Sequence, residues 1–269
     1  MAPVFSRACA LFSSACLAAL LCAPAGAGEA EAQWTGLYVG VHAGSANGQI
    51  DDIDNQTQAR NTFSLGANSF ESASWFGGAQ FGYNHQFDHV VVGTEFSASG
   101  GGASDPEVCF PNAVIFTGTN TFTCEADLNW KGSWAARLGI AFGSEDRFLG
   151  YATGGVTMAE YNVSKFQTNS AVVGPPFGTQ DTTTAWSGAA TFVGGTLGAG
   201  LQYAISRDVS FGVEYAHSEY ASSNYTTQGT QHIVCSTLNC GPPFALAPRT
   251  ASDQLSDDAV RVVLNLRLD

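Results

Sequence analysis

Charged residues are scarce in this chain, and positively charged ones most of all. Only 12% of the 269 residues are charged, and 10 Lys and Arg stand against 23 Asp and Glu, for a formal net charge of -13. Ordinary soluble domains carry about 25% charged residues. Nucleic-acid binding needs clustered Lys and Arg that neutralise phosphates, and the sequence has no such cluster. The composition therefore excludes a nucleic-acid partner and predicts that something other than water faces much of the surface.

Two further scarcities weigh against a helical protein. Lys and Met, which favour helices, are scarce, with only two Met in the chain. After residue 27 no run of about 18 consecutive apolar residues occurs, so no transmembrane helix is expected. Thr, Val, Phe and Tyr recur instead between clusters of Gly and Ser, which is the composition of strands and turns. We therefore expect an all-β fold.

The N-terminus predicts an export signal. Residues 1–27 combine a basic start that ends at Arg7, an apolar run and small residues that suit signal peptidase. The sequence AGA that ends at Ala27 fits a cleavage site, and the sequence AEA that ends at Ala32 fits one equally well. We expect a signal peptide over residues 1–27, with cleavage as late as 32, and one mature domain over residues 33–269.

Cysteine usage agrees with export to an oxidising compartment. Three of the seven cysteines precede residue 28, and the mature chain keeps Cys109, Cys124, Cys235 and Cys240. Each neighbouring pair lies within one expected loop, so disulfides within each loop are the simplest of the three possible connectivities. A metal site is the alternative, but no CxxC spacing occurs and His232 is the only histidine near either pair. We expect two disulfides and no metal.

Apolar and polar residues alternate with a period of two in four segments of the chain. One face of each segment carries large apolar residues, and the other carries Gly, Ser, Ala and polar residues. The residues expected on the apolar, outward face are Trp75, Ala79, Phe81, Tyr83 and Phe87; Leu128, Trp130, Trp134, Ala136, Leu138, Ile140 and Phe142; Val193, Leu197, Ala199, Leu201 and Tyr203; and Val260, Val262, Leu264, Leu266 and Leu268.

Small residues on the other face suit a narrow lumen. Lipid offers backbone groups no hydrogen-bond partners, so a sheet that crosses it has to close on itself. Short turns and long polar segments alternate along the chain, which predicts a closed antiparallel eight-stranded transmembrane β-barrel with four long external loops and both termini on the short-turn side. The turns are expected near residues 87–89, 143–147 and 206–208, and the loops at residues 49–73, 101–127, 165–184 and 222–256.

Two acids and four basic residues fall on the lumen face of the predicted strands. Opposite charges inside a narrow barrel should pair, and an eight-stranded barrel has room only for side chains. We therefore predict a structural ion-pair network rather than a proton or ion path. Its expected members are Glu95, Lys131, Arg137, Glu214, Arg261 and Arg267.

Five segments of the sequence resemble a known family in order and spacing: WTGLYVGVHAG at 34–44, GGAQFGYNHQF at 77–87, RLGIAFG at 137–143, YATGGV at 151–156 and GAGLQYAISRDVSFGVEYAHSEY at 198–220. They are similar to small alphaproteobacterial outer-membrane barrels of a porin or surface-antigen family, which are related in architecture to the OmpA and opacity-protein barrels. The chain departs from that family at its end, because Leu268-Asp269 replaces the usual terminal aromatic residue that the barrel-assembly machinery reads.

The resemblance implies an eight-stranded barrel in the outer membrane of a Gram-negative bacterium, in contact with its lipid and with the barrel-assembly machinery. Members of the family are described as major surface proteins, haemin-binding proteins or adhesins. We expect a structural, surface-exposed role, with the loops free to bind a host or surface ligand. The alternative function is a small pore or a protein of haem binding and uptake.

Catalytic and haem-binding sites find little support in the sequence. The consecutive residues His217, Ser218 and Glu219 point to alternate faces of a strand, so they cannot form one hydrogen-bonded relay. We therefore expect no enzymatic activity and no resident cofactor. Haem is the one cofactor that the haem-binding alternative would require. No recognisable haem-binding spacing occurs among the five histidines, His42, His85, His89, His217 and His232.

Overall fold

The computed structural model describes residues 34–52, 68–101, 107–110, 120–174, 178–236 and 241–268. The predicted signal peptide and both candidate cleavage sites lie outside these residues. No helix in the described part of the chain is long and apolar enough to cross a membrane. The described strands are β1 (Gly36–Asp52), β2 (Asn68–Phe87), β3 (Val90–Gly101), β4 (Glu107–Phe110), β5 (Asn120–Phe142), β6 (Phe148–Gly174), β7 (Gly178–Ala204), β8 (Val209–Tyr220), β9 (Ser223–Cys235) and β10 (Phe244–Leu268).

Eight of these strands form a closed antiparallel ring in the order β1-β2-β3-β5-β6-β7-β8-β10. The ring closes because β10 pairs with β1, from Leu37 opposite Leu268 to Asp52 opposite Asp253. A closed sheet can pair its backbone groups within itself, as lipid requires. The predicted eight-stranded antiparallel barrel is confirmed.

The strands β8 and β9 occupy the same position in the barrel wall, one after the other. Both lie between β7 and β10, and Glu219 of β8 is opposite Ser256 while Ser223 of β9 is opposite Asp253. The chain from 219 to 223 therefore takes one residue more than β10 does over the same length, which is a β-bulge. The short β4 pairs with the outer end of β5 in a similar way.

The three short turns that the sequence predicts lie at one end of the barrel. They join β2 to β3, β5 to β6 and β7 to β8. Asp88 and Gly143 adopt positive φ angles of 56° and 87° there, which tight turns require. In a bacterial outer-membrane barrel this end faces the periplasm.

The described strands extend into all four predicted long loops, so the connections are shorter than predicted. Within the expected loop at 165–184, β6 continues to Gly174 and β7 begins at Gly178. Similarly, β9 and the start of β10 occupy the expected loop at 222–256, β4 and the start of β5 occupy that at 101–127, and β1 and β2 both run into that at 49–73. These strands have a polar outward face, so their sequences resemble loops.

The polarity of the two faces reverses along the barrel. Near the short turns the outward side chains are apolar and exposed, with Leu138 and Leu197 exposed by 60% and 70%. Beyond Trp75, Trp130, Val193 and Val260 the outward side chains are mostly polar. We call the first region the apolar belt and the second the outer half. The inward side chains of the outer half form an apolar core that includes Ile50, Cys124, Leu128, Tyr161, Val163, Phe192, Tyr225 and Leu255.

The predicted outward residues lie in the apolar belt and are exposed or half-buried, with one exception. Leu128 is buried, at 4% exposed, and faces inward. A β-bulge between Leu128 and Trp130 inserts Asn129, and a slip of one residue exchanges the two faces of a strand. Cys124 and Ala126, on the far side of the bulge, therefore also face the interior. The prediction for Leu128 is wrong because a period of two cannot show a bulge.

Gly78 allows β3 to pack closely against β2. A Cβ atom at Gly78 would lie 2.0 Å from the carbonyl oxygen of Ala98, whereas the nearest atom to one at Gly77 would be 3.6 Å away. We expect Gly78→Ala to lower the free energy of unfolding by about 1–3 kcal/mol. Gly77→Ala should change it by less than about 0.5 kcal/mol. Urea unfolding of the two refolded variants measures the difference, and equal midpoints would contradict the close approach.

Candidate functional site

Four charged side chains from four different strands meet inside the apolar belt. They are Glu95 on β3, Arg137 on β5, Glu214 on β8 and Arg261 on β10, and we call them the lumen cluster. Arg137 Nη2 lies 2.5 Å from Glu95 Oε2 and 3.9 Å from Glu214 Oε2. Arg261 Nη2 bridges both acids, at 2.8 Å from Glu95 Oε1 and 2.6 Å from Glu214 Oε1. Two acids and two bases thus neutralise one another.

Burial makes this neutralisation necessary. Glu95, Arg137 and Glu214 are exposed by only 5%, 2% and 2%. A charge taken out of water costs several kcal/mol unless partners and hydrogen bonds compensate for it. Strand pairing supplies one contact directly, because Glu214 is opposite Arg261. Glu95 and Arg137 lie on the paired strands β3 and β5 as diagonal neighbours, because Gly93 is opposite Arg137. The contacts that join this pair to Glu214 and Arg261 cross the lumen.

Two tyrosines complete the lumen cluster. The hydroxyl of Tyr38 donates to Glu95 Oε2 at 2.8 Å, and that of Tyr151 donates to Glu214 Oε2 at 2.9 Å. The guanidinium carbon of Arg137 lies 4.1 Å from the ring centroid of Tyr151 and 5.6 Å from that of Tyr38. Both rings therefore favour the cation electrostatically and fill the lumen around it.

A neutral hydrogen-bonded group extends the lumen cluster along the barrel. The Nδ1 atom of His42 contacts Gln80 Oε1, and its Nε2 atom lies 2.8 Å from Ser99 Oγ. Gln80 Nε2 then donates to Asn265 Oδ1 at 2.8 Å. His42 therefore has polar partners at both ring nitrogens and lies in the lumen.

Lys131 and Arg267 lie outside the lumen cluster, although the sequence placed them in one network with it. Lys131 Nζ bonds to Asp257 Oδ1 at 2.7 Å, and Arg267 Nη2 lies 3.7 Å from Asp208 Oδ1. Lys131 and Arg267 are each six residues from the arginine on their own strand, which is about 20 Å along a strand. These residues share the lumen face, but their spacing along the strands divides them into three separate layers of charge.

Asp257 is a lumen residue that sequence reasoning missed. It is 1% exposed and also accepts a hydrogen bond of 2.9 Å from the hydroxyl of Tyr220. Continuing the alternation of the last strand from Arg261 through Ala259 would have placed it inside. The predicted loop ends at residue 256 and the predicted apolar face of the last strand begins at Val260. Asp257 lies between them and was assigned to neither.

Little open space remains between the lumen cluster and the layer of Lys131 and Asp257. A cavity of about 60 Å³ lies there, which is room for only a few water molecules. Hydroxyl-bearing side chains and both charged layers line it. At this level the barrel is filled by side chains, as expected for eight strands.

The other four histidines lie in three regions of the barrel. His85 and His89 lie at the short-turn end, and His89 Nδ1 is 3.1 Å from a carboxylate oxygen of Asp146. His217 Nδ1 is 2.9 Å from Asp258 Oδ1 on the outward face, and His232 lies on β9. Among the residues that the structure describes, no group of three or more His, Cys, Asp or Glu side chains could hold a metal ion.

Ser218 and His217 face opposite sides of the sheet, as the alternation predicts. Ser218 is fully buried, and its hydroxyl accepts a hydrogen bond of 3.1 Å from Lys131 Nζ. His217 instead bonds to Asp258 outside. The two neighbours therefore belong to different environments.

Two of the four cysteines of the predicted mature chain have described side chains. Cys124 and Cys235 are each disulfide-bonded. The side chains of Cys109 and Cys240 lie outside the described residues, so the pairing of Cys109 with Cys124 and of Cys235 with Cys240 stays a prediction. β4 carries Cys109 and pairs with the part of β5 that carries Cys124.

Residues 13–234 match the family model described as outer membrane protein beta-barrel domain. The 31 kDa outer-membrane immunogenic proteins of Brucella melitensis biotype 1 and Brucella suis biovar 1 are each 29% identical over 203 residues, which cover 71% of this chain and 73% of theirs. Among solved structures, AlkL is 11% identical, with 91% of this chain and 96% of AlkL covered and a TM-score of 0.41. OprG of Pseudomonas aeruginosa is 11% identical, with 89% and 99% covered and a TM-score of 0.39. With both scores below 0.5, these two structures add nothing on function.

Proposed function

This chain belongs to the family of outer membrane protein β-barrel domains, and from that premise we propose that it is a surface-displayed structural barrel with a closed lumen. It lies in the outer membrane of a Gram-negative bacterium. The reversal of polarity between the apolar belt and the outer half carries the proposal. A strand whose outward face is polar belongs in water, so the outer half stands outside the lipid.

The length of the strands supports display at the surface. β6 and β7 have 27 residues each, whereas a transmembrane strand needs about 9–11. The apolar core of the outer half gives it the interior of a water-soluble barrel. The Brucella relatives are named immunogenic proteins, which suits a chain with a large projecting part.

Each expected partner contacts a different region of the barrel. Outer-membrane lipid contacts the apolar belt, and the barrel-assembly machinery inserts the strands. Any contact with a host or surface ligand falls to the outer half and its connections. The proposal contains no catalytic step.

A small pore would require the charged side chains of the lumen cluster to separate. Glu95 would have to separate from both Arg137 and Arg261, leaving buried charges without partners. Against the haem-binding alternative, His42, His89 and His217 already have polar partners of their own. We therefore place both alternatives behind the structural role.

Display can be tested with an epitope inserted at two places. One insertion lies in the β6–β7 connection at residues 175–177, and the matched control lies in the short turn at 206–208. We expect antibody to label intact cells only for the first insertion, and permeabilised cells for both. Labelling of intact cells through 206–208, or at neither place, would contradict the proposed orientation.

A further inference from the structure

Trp34 lies two residues before the start of β1 and is buried at the short-turn end of the lumen, at 8% exposed. Its indole Nε1 donates to the carbonyl oxygen of Asp146 at 2.8 Å, and its backbone N–H donates to Gln86 Oε1 at 2.9 Å. Asp146 belongs to the turn between β5 and β6. In the ring of eight strands β6 lies across from β1. The indole of Trp34 therefore spans the mouth of the barrel.

The indole also packs against the inner wall. Trp34 belongs to one buried apolar cluster with inward residues of β3, β5, β6 and β7. Gly36, at a φ angle of 138°, lets the chain pass from the indole into β1, a conformation that other residues rarely adopt. The remaining members of the cluster are Val91, Ala141, Leu149, Tyr151 and Ala204.

A small cavity lies beside Trp34 at the short-turn end. Its volume is about 30 Å³, and Trp34, Tyr38, Asn84 and Arg267 are among the residues that line it. Asn84 is 3% exposed, and its Oδ1 atom has no hydrogen-bond partner among the described residues. Trp34 therefore lines a small space at this end of the barrel that the side chains do not fill.

We propose that Trp34 is a stopper for the periplasmic mouth, so that the lumen is sealed twice, at Trp34 and at the lumen cluster. This inference rests on the proposed closed lumen and deepens it. Trp34 precedes the first strand and takes part in none of the strand pairs of the ring. The stopper can therefore leave the mouth while every strand pair stays intact.

A cysteine placed under the stopper reports its position. Ala141 faces inward, is 2% exposed and belongs to the same cluster as Trp34. The experiment introduces Ala141→Cys into the refolded mature protein and measures how fast a small charged methanethiosulfonate reagent labels it. The protein without Ala141→Cys gives the background from the native cysteines.

Three further substitutions are compared in the Ala141→Cys background. We expect Trp34→Gly to speed labelling by about tenfold or more, because a buried thiol otherwise reacts only after local opening. Trp34→Phe retains a ring in the mouth and should stay within about threefold of the parent. Trp75→Gly is the matched control, because Trp75 is 71% exposed on the outward face, and it should leave the rate unchanged.

A mobility shift on heating checks that each variant still forms a closed barrel. If Trp34→Gly gives no shifted band, Gln86→Ala replaces it, since it removes the acceptor for the Trp34 N–H, and faster labelling is again expected. Equal labelling rates in folded Trp34→Gly and in the parent would overturn the stopper. Channel conductance of the unmodified protein tests the closed lumen separately, so the two ideas can fail independently.

Discussion

Replacing Glu95 by Ala is expected to lower the free energy of unfolding by about 3–5 kcal/mol. The carboxylate of Glu95 accepts hydrogen bonds from Arg137, Arg261 and Tyr38. Without it, Arg137 keeps only Glu214 as an acidic partner, at 3.9 Å, while it stays 2% exposed. The cost is therefore that of a buried charge left poorly compensated.

Urea unfolding of the refolded protein measures this effect. The matched control is Glu219→Ala, whose side chain is 81% exposed, and it should change the free energy of unfolding by less than about 0.5 kcal/mol. A double variant, Glu95→Ala with Arg261→Ala, should cost less than the sum of its parts, because it removes opposite charges together. If Glu95→Ala and Glu219→Ala unfold at the same urea concentration, the lumen cluster does not stabilise the barrel.

Replacing Leu138 by Arg is expected to lower the free energy of unfolding in a lipid bilayer by about 2–4 kcal/mol. Leu138 is 60% exposed on the outward face of β5, between Trp134 and Phe142. A guanidinium at this position would face hydrocarbon near the middle of the apolar belt. The cost should fall for the same substitution closer to either border of the belt.

Gln254→Arg provides the control for the outer half. Gln254 lies on the outward face of β10, beyond Val260, and is exposed. In water the substitution should change the free energy of unfolding by less than about 0.5 kcal/mol. Equal costs for Leu138→Arg and Gln254→Arg would mean that the reversal of polarity does not mark the edge of the lipid.

The strands of the apolar belt could be predicted because their physical constraint is local. Lipid outside and a narrow lumen inside impose a period of two that survives over the whole belt, from Trp75 to Phe87 and from Val260 to Leu268. The outer half lacks that contrast. Its outward face meets water, so Thr, Ser and Gln appear there and the strand sequences resemble loops.

The lumen could be predicted only in part, because the alternation within a strand and the register between strands carry different information. Alternation shows that Glu95, Arg137 and Lys131 share a face. Register decides which of them meet, and it depends on pairings between distant segments, such as Gly93 opposite Arg137. The bond between Trp34 and Asp146 joins residues 112 positions apart, and no sequence pattern indicates it.

Single-channel recording in planar bilayers tests the closed lumen most directly. The refolded mature protein would be added to the bilayer after a heat-dependent shift in electrophoretic mobility has shown that it is a folded barrel. The lumen cluster predicts a silent membrane, because Glu95, Arg137, Glu214 and Arg261 fill the lumen and neutralise one another. Stable, stepwise openings of the unmodified protein would contradict the structural role and favour a pore.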